Sequence, residues 1–141
     1  MPENYEMVIP SDPDHIQNVE QKTEELAKKA GFDEDDCDSL AIAVTEIVAN
    51  AINHGNKRNI NKKVRVRFKI ENDVLTIKVC DQGVGFDPKK LKNPLDPENL
   101  YKESGRGIFI VKTLMDGIEF RFLKSGTEVT LTKAKAAASS P

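Results

Sequence analysis

The amino-acid sequence predicts a two-layer α+β domain, a mixed and largely antiparallel sheet covered by helices on one face. Two long segments with apolar residues at helical spacing come early in the chain, and from Val64 the period changes to the two-residue alternation of half-buried strands. No glycine fingerprint stands between an early strand and the helix after it, which argues against the parallel dinucleotide-binding arrangement.

The elements follow in order. Tyr5 to Ile9 reads as a short edge strand before the turn Pro10-Ser11-Asp12-Pro13. Ser11 or Asp12 then caps a helix whose apolar face is Ile16, Val19, Thr23, Leu26, Ala27 and Ala30, ending at Gly31. Acidic residues from Asp33 to Asp36 lie at the positive end of a second helix, with Leu40, Ala41, Val44, Ile47, Val48, Ala51 and Ile52 as its apolar side and Gly55 as its exit. Asn56 to Lys63, rich in lysine and asparagine, reads as a solvated connection.

Val64, Val66, Phe68 and Ile70 alternate with Arg65, Arg67 and Lys69; after the turn Glu71-Asn72-Asp73, Leu75, Ile77 and Val79 resume the pattern. Val64 to Ile70 and Val74 to Cys80 are therefore expected as an antiparallel hairpin. Gln82 to Gly105 is the one long irregular segment, and its part from Asp87 to Arg106, interrupted by Pro88, Pro94 and Pro97, has the length and composition of a lid. A helix over Gly107 to Met115 and strands over Ile118 to Leu123 and Thr127 to Thr132, joined by Lys124-Ser125-Gly126, complete the domain. The expected domain spans residues 1–132, with 133–141 as a flexible tail of small and polar residues.

The 141 residues suffice for one hydrophobic core and are few for two domains. With 21 basic and 23 acidic residues the formal charge is -2, so no strong general field draws nucleic acid. Lys57, Arg58, Lys62, Lys63, Arg65, Arg67 and Lys69 form a basic run without an aromatic ladder, which suits solvation or an acidic protein partner better than a nucleic acid. Cys37 and Cys80 are far apart and belong to no C-x-x-C pair, so neither a zinc site nor a redox dithiol is indicated. Met1 to Asp12 carries no targeting core and no apolar run reaches membrane-spanning length, so a soluble, cytoplasmic protein is the expectation.

Three motifs carry chemical potential. On the second helix Glu46, Asn50 and Asn53 form a polar stripe turned roughly 100° from the apolar one. An asparagine oxygen ligates magnesium without adding charge beside phosphates, and a carboxylate one turn away takes a proton from a hydroxyl or water. The same spacing also serves a solvated or capping stripe, while His54, nearer the apolar side, reads as a hydrogen-bonded structural histidine. Asp81-Gln82-Gly83-Val84-Gly85-Phe86 directly after a strand is either a tight turn or a ligand corner whose carboxylate accepts from an exocyclic amine. Ser104-Gly105-Arg106-Gly107 opens a helix, where main-chain N-H groups and the Arg106 cation face phosphate; a flexible joint would use the same glycines.

Together and in this order, the three motifs resemble the ATP-binding domain shared by bacterial histidine kinases, type II topoisomerases, Hsp90 and MutL. Within that superfamily the chain is similar to the small anti-sigma factor serine kinases, from its first strand to about Thr132. The resemblance implies Glu46 as general base and Asn50 as magnesium ligand, with Asn53 along the phosphates and His54-Gly55 completing the first motif. It implies Asp81 as the adenine-recognising residue, Gly83 and Gly85 as pocket wall, and Gly105, Arg106 and Gly107 as the phosphate-facing lid and helix entrance. Thr127 corresponds to a late hydroxyl that supports the aspartate. The cofactors implied are ATP and Mg2+, and the partners a small anti-anti-sigma protein as substrate, a sigma factor and a second copy in a homodimer, with no nucleic acid and no membrane. No phosphoacceptor-histidine helix pair or transducer domain is read in these residues, so a complete sensor histidine kinase or topoisomerase is not the expectation. A non-catalytic nucleotide-dependent switch, or an ATPase or adaptor in another signalling complex, stands as the alternative.

Overall fold

The computed structural model describes residues 3–83 and 105–136. The chain runs β1 (Glu3–Pro10), a 3-10 turn (Pro13–His15), α1 (Ile16–Lys29), α2 (Glu34–Asn50), a π-helical turn (Ala51–Gly55), β2 (Lys63–Glu71), β3 (Val74–Cys80), α3 (Gly105–Leu114), β4 (Gly117–Leu123) and β5 (Gly126–Ala134).

Local chemistry sets the helix ends. Asp12 accepts a hydrogen bond from the Asp14 N-H at 3.0 Å, which starts the turn leading into α1. At the other end the Phe32 N-H reaches Ala27 O and the Gly31 N-H reaches Lys28 O, both at 3.0 Å, so the last carbonyls of α1 are satisfied as the chain turns away at Gly31. Asp33 caps α2 by accepting from the Asp36 N-H at 2.8 Å, and Glu34, Asp35 and Asp36 sit in its first turn, where the helix dipole favours anions.

The strands form one five-stranded sheet in the order β1-β2-β3-β5-β4. Every pairing among them is antiparallel, including the expected hairpin, in which Val66 faces Val79 and Phe68 faces Ile77. Alternation decides which side of the sheet is dry. Val64, Val66 and Phe68 of β2, Leu75, Ile77 and Val79 of β3, and Val129 and Leu131 of β5 are buried against the helices. Arg65, Arg67 and Lys69 emerge on the opposite face, where Arg65 and Arg67 pair with Glu6 on β1 at 3.3 and 3.1 Å.

Helices and sheet share a single core, to which α1 brings Val19 and Ala27, α2 brings Leu40, Val44, Ile47 and Val48, and α3 brings Ile108 and Val111. Phe68, 2 % exposed at the centre of the sheet, anchors the layer. Truncating such a ring to alanine costs about 3–5 kcal/mol through lost transfer energy and a cavity.

The structure departs from the sequence expectation at three points. The second helix leaves at Gly55 as expected, but its last turn widens into the π-helical Ala51–Gly55, and the chain then reverses at Lys57 and Arg58, whose φ angles are 51° and 58°. The connection after it is not all solvated, because Asn56 is 1 % exposed. β5 extends past Thr132 to Ala134, the Lys133 ammonium donates to Leu114 O at 2.7 Å, and the Lys135 N-H reaches Asp73 O at 2.7 Å, so order continues beyond the expected boundary.

Candidate functional site

The corner after β3 is built around one carboxylate. Asp81 leaves the sheet beside β5, donating its N-H to Thr127 O at 3.0 Å, and its Oδ1 accepts from the N-H groups of Gly83 and Thr127, both at 3.0 Å. The side chain is 6 % exposed, and two main-chain donors offset the cost of burying it. Thr127 thus meets Asp81 through its main chain on both sides.

The π-helical turn brings the first motif to this corner. A methyl group at Gly55 would overlap Asp81 Oδ2, and one at Gly83 would overlap Gly55 O, so these two residues meet main chain to main chain beside the carboxylate. Gly55, assigned from the sequence as a helix exit, is here a packing residue. Gly83 is buried.

Asn56 holds the same corner from behind and was missed in the sequence. Its Oδ1 accepts from the Gln82 N-H at 2.7 Å, and its Nδ2 donates to Ser11 Oγ at 2.8 Å and Lys63 O at 3.0 Å. Ser11 in turn donates to Lys62 O at 2.6 Å, and the Gln82 amide oxygen accepts from the Lys63 N-H at 2.6 Å. An asparagine in a polar, lysine-rich stretch gives no sequence signal of such a role. The only hint was the choice of a side chain able to donate and accept at once.

The second half of the site lies along α2. Glu46 is half-buried and lines a groove of about 450 Å³ between α1 and α2, together with Glu20, Glu24, Asp38, Ala41, Ile42 and Thr45. On its other side α3 begins: a Cβ on Gly107 would lie 2.5 Å from Glu46 Oε2, so the two are in close contact and a side chain there would push the carboxylate aside. Asn50, one turn on from Glu46, is 4 % exposed, and its Nδ2 has no hydrogen-bond partner. A buried amide group left unpaired costs about 1–3 kcal/mol. Asn53 takes another course, with its Oδ1 accepting from Arg58 Nε at 2.7 Å.

One end of Asn50 is thus reserved, and a half-turn of the amide exchanges its nitrogen and oxygen without changing its shape. Among the described residues no group of three or more His, Cys, Asp and Glu is placed to hold a metal ion. A buried amide with an unpaired end could hold a magnesium ion through its oxygen. Of the other candidate residues, Gly105 and Arg106 begin α3, while the Arg106 side chain, Gly85 and the expected lid from Asp87 through Ser104 lie outside the described residues.

The chain is 36% identical over 135 residues to the serine-protein kinase RsbW of Bacillus licheniformis, covering 91% of this chain and 83% of that protein. It is 31% identical over 134 residues to the serine-protein kinase RsbW of Bacillus subtilis, again covering 91% and 83%. In fold it is similar to the structure of the RsbU and RsbW domains of a Mycobacterium tuberculosis protein, with a TM-score of 0.70 at 16% identity over 96% of this chain and 33% of that one. A histidine kinase domain from Erythrobacter litoralis follows at 0.57, with 16% identity over 90% of this chain and 62% of that one. Residues 9–133 match the histidine kinase-like ATPase domain, and the chain belongs to that family.

Proposed function

We propose that this chain is an ATP-dependent serine/threonine protein kinase acting in an anti-sigma signalling module, with a small anti-anti-sigma protein as its substrate and a sigma factor as the competing partner. Its similarity to serine-protein kinases along 91% of its length supports the reaction class. The observation that carries the site assignment is the pairing of Glu46, reachable from a surface groove, with the buried, unpartnered amide of Asn50 one turn away.

In this reading Asp81 recognises the adenine amino group, with Oδ1 held by Gly83 and Thr127 and Oδ2 turned toward Gly55. Gly83 and Gly85 shape the pocket wall, and the main-chain N-H groups of Gly105, Arg106 and Gly107 receive phosphate at the start of α3. Asn50 would hold magnesium, which offsets the charge of the phosphates when bound. The substrate protein docks over the α1–α2 groove and presents its hydroxyl to Glu46. Glu46 takes the hydroxyl proton as the oxygen bonds to the γ-phosphorus, and the bond to the β-γ bridging oxygen breaks to release ADP. Positioning and charge supply most of the acceleration.

A cytoplasmic location and a homodimer belong to the same reading. Among the described residues no helix is long and apolar enough to cross a membrane. The test is transfer of label from γ-labelled ATP, with magnesium, to each small anti-anti-sigma-like protein of the same genome, followed by mapping of the phosphorylated residue. Labelling on serine or threonine sustains the proposal. Nucleotide-controlled complex formation without any transfer replaces it with a binding switch.

A further inference from the structure

Helices α2 and α3 meet at two places. Where α3 begins, Gly107 lies against the Glu46 carboxylate of α2. Where α3 ends, the Lys133 ammonium of β5 donates to Leu114 O at 2.7 Å and stands 3.7 Å from Asp36 Oδ1 in the first turn of α2. Asp36 precedes Glu46 and Leu114 follows Gly107, so the two helices run antiparallel, in touch at one end and tied through a lysine at the other. Two further bonds fix that tied end to β5: the Asp116 N-H reaches Thr132 O at 3.0 Å, and the Ala134 N-H reaches Asp116 Oδ2 at 2.6 Å.

Lys133 stands where the strand pattern calls for an apolar residue. Alternation along β5 puts it on the face of Val129 and Leu131, which packs against the helices. The ion pairs of Lys22, Arg65, Arg67 and Lys69 end on carboxylates 44–64 % exposed, where water screens them. Lys133 and Asp36 are only 13 % and 23 % exposed. A cation on the dry side of a sheet costs stability unless it is partnered. This one meets two partners at once, a carbonyl at the negative end of α3 and a carboxylate at the positive end of α2. We propose that Lys133 is a positioning residue for the nucleotide site: by tying the end of α3 to the start of α2, it sets how far α3 reaches along α2. That reach decides where the first N-H groups of α3 stand for phosphate and how Gly107 meets Glu46. The inference rests on the assignment of phosphate to the start of α3. Leu114 and Gly107 are about two helical turns apart, so α3 moves as one body, and a slip at its tied end is a slip at its phosphate end.

The experiment combines amide NMR of the nucleotide-free chain with calorimetry using magnesium-ATP and adenosine, for the wild type, Lys133→Met, Lys133→Arg and Asp36→Asn. Met7→Ala is the control for a general loss of stability, since Met7 packs on the core from β1, at the sheet edge away from β5. Lys133→Met keeps the aliphatic stem and loses the donors. It is expected to shift the Gly107 amide resonance and to weaken magnesium-ATP binding about fivefold, while adenosine, which has no phosphate to present, binds as before. Lys133→Arg should recover most of both effects, and Asp36→Asn, which leaves the bond to Leu114 O, should show a smaller part of each. Met7→Ala should lower the melting temperature and move neither. If Lys133→Met does not fold, Asp36→Asn carries the same two readouts. A Gly107 resonance or an ATP affinity equal to wild type in the folded variant overturns the proposal while leaving the site intact. A loss shared by adenosine, or matched by Met7→Ala, also overturns it. A wild type that binds no ATP removes the phosphate assignment itself, and the proposal with it.

Discussion

The two halves of the site differ in how complete the protein leaves them. At the Asp81 corner each partner is already in place: two N-H groups on Oδ1, glycine main chain packed against Oδ2, and Asn56 bracing the turn from behind. Along α2 the reverse holds, with one end of the Asn50 amide buried and unpaired and Glu46 opening into a groove. In the proposed reading the first half recognises the nucleotide, and stability and recognition use the same bonds. The second is left unsatisfied by the protein alone, as expected where a ligand supplies the missing partner.

This contrast can be broken most directly at Glu46. Glu46→Gln keeps size and hydrogen bonding but loses basicity, so single-turnover phosphoryl transfer should slow by about 10²–10⁴-fold with ATP affinity nearly unchanged. Transfer at the wild-type chemical rate would remove Glu46 as the base. Asp81→Ala should instead lose both ATP binding and stability, because the Gly83 and Thr127 N-H groups are left without their acceptor. Each such buried donor costs about 1–3 kcal/mol, and denaturant unfolding reads the sum. Asp81→Asn, which retains an acceptor oxygen, should recover part of the stability and less of the affinity.

Asn50 sharpens the comparison from the other side. Asn50→Leu removes an unpaired buried amide, so apo stability should stay level or rise by about 1 kcal/mol while magnesium-dependent ATP affinity drops. A large loss of stability would mean that the amide is part of the core and not held for a ligand. The smallest effect concerns Cys80, whose thiol is pushed up to about 11 by burial and then by the adjacent Glu128. Since the unfolded thiol ionises near about 8.5, its contribution to stability is full below that pH and is lost as pH rises toward the folded value. Alkylation of Cys80 in the folded protein should accordingly be slow at neutral pH and accelerate only in the alkaline range.

Legibility in the sequence followed the range of the interactions. The β2–β3 hairpin, the acidic start of α2 around Asp33 to Asp36 and the end of α1 at Gly31 are written in residues a few positions apart, and periodicity and local composition expose them. Asn56 was read as solvated because its side-chain partners lie 7, 26 and 45 positions away. The reversal at Lys57-Arg58 was hidden because glycine is the usual left-handed residue and Gly55 stood close by, yet Gly55 is needed to clear Asp81. The two main-chain bonds between Thr127 and Asp81 were not legible, because any residue but proline can make both.

The Asn56 knot also bears on the order of assembly. Its bonds join the start of the chain at Ser11, the helix exit, the first residue of β2 and the residue after Asp81. The bonds to Gln82 and Ser11 cannot close until β2 and β3 have paired and the amino-terminal strand has returned to the sheet edge, so most of the loop-closure entropy is met before the knot is complete. Asn56→Ala should therefore speed unfolding and leave the folding rate nearly unchanged in stopped-flow kinetics, the mark of contacts made after the transition state. The nucleotide corner would then be the last part of the molecule to form and the first to open, so that a bound nucleotide acts as a latch on a fold otherwise complete without it.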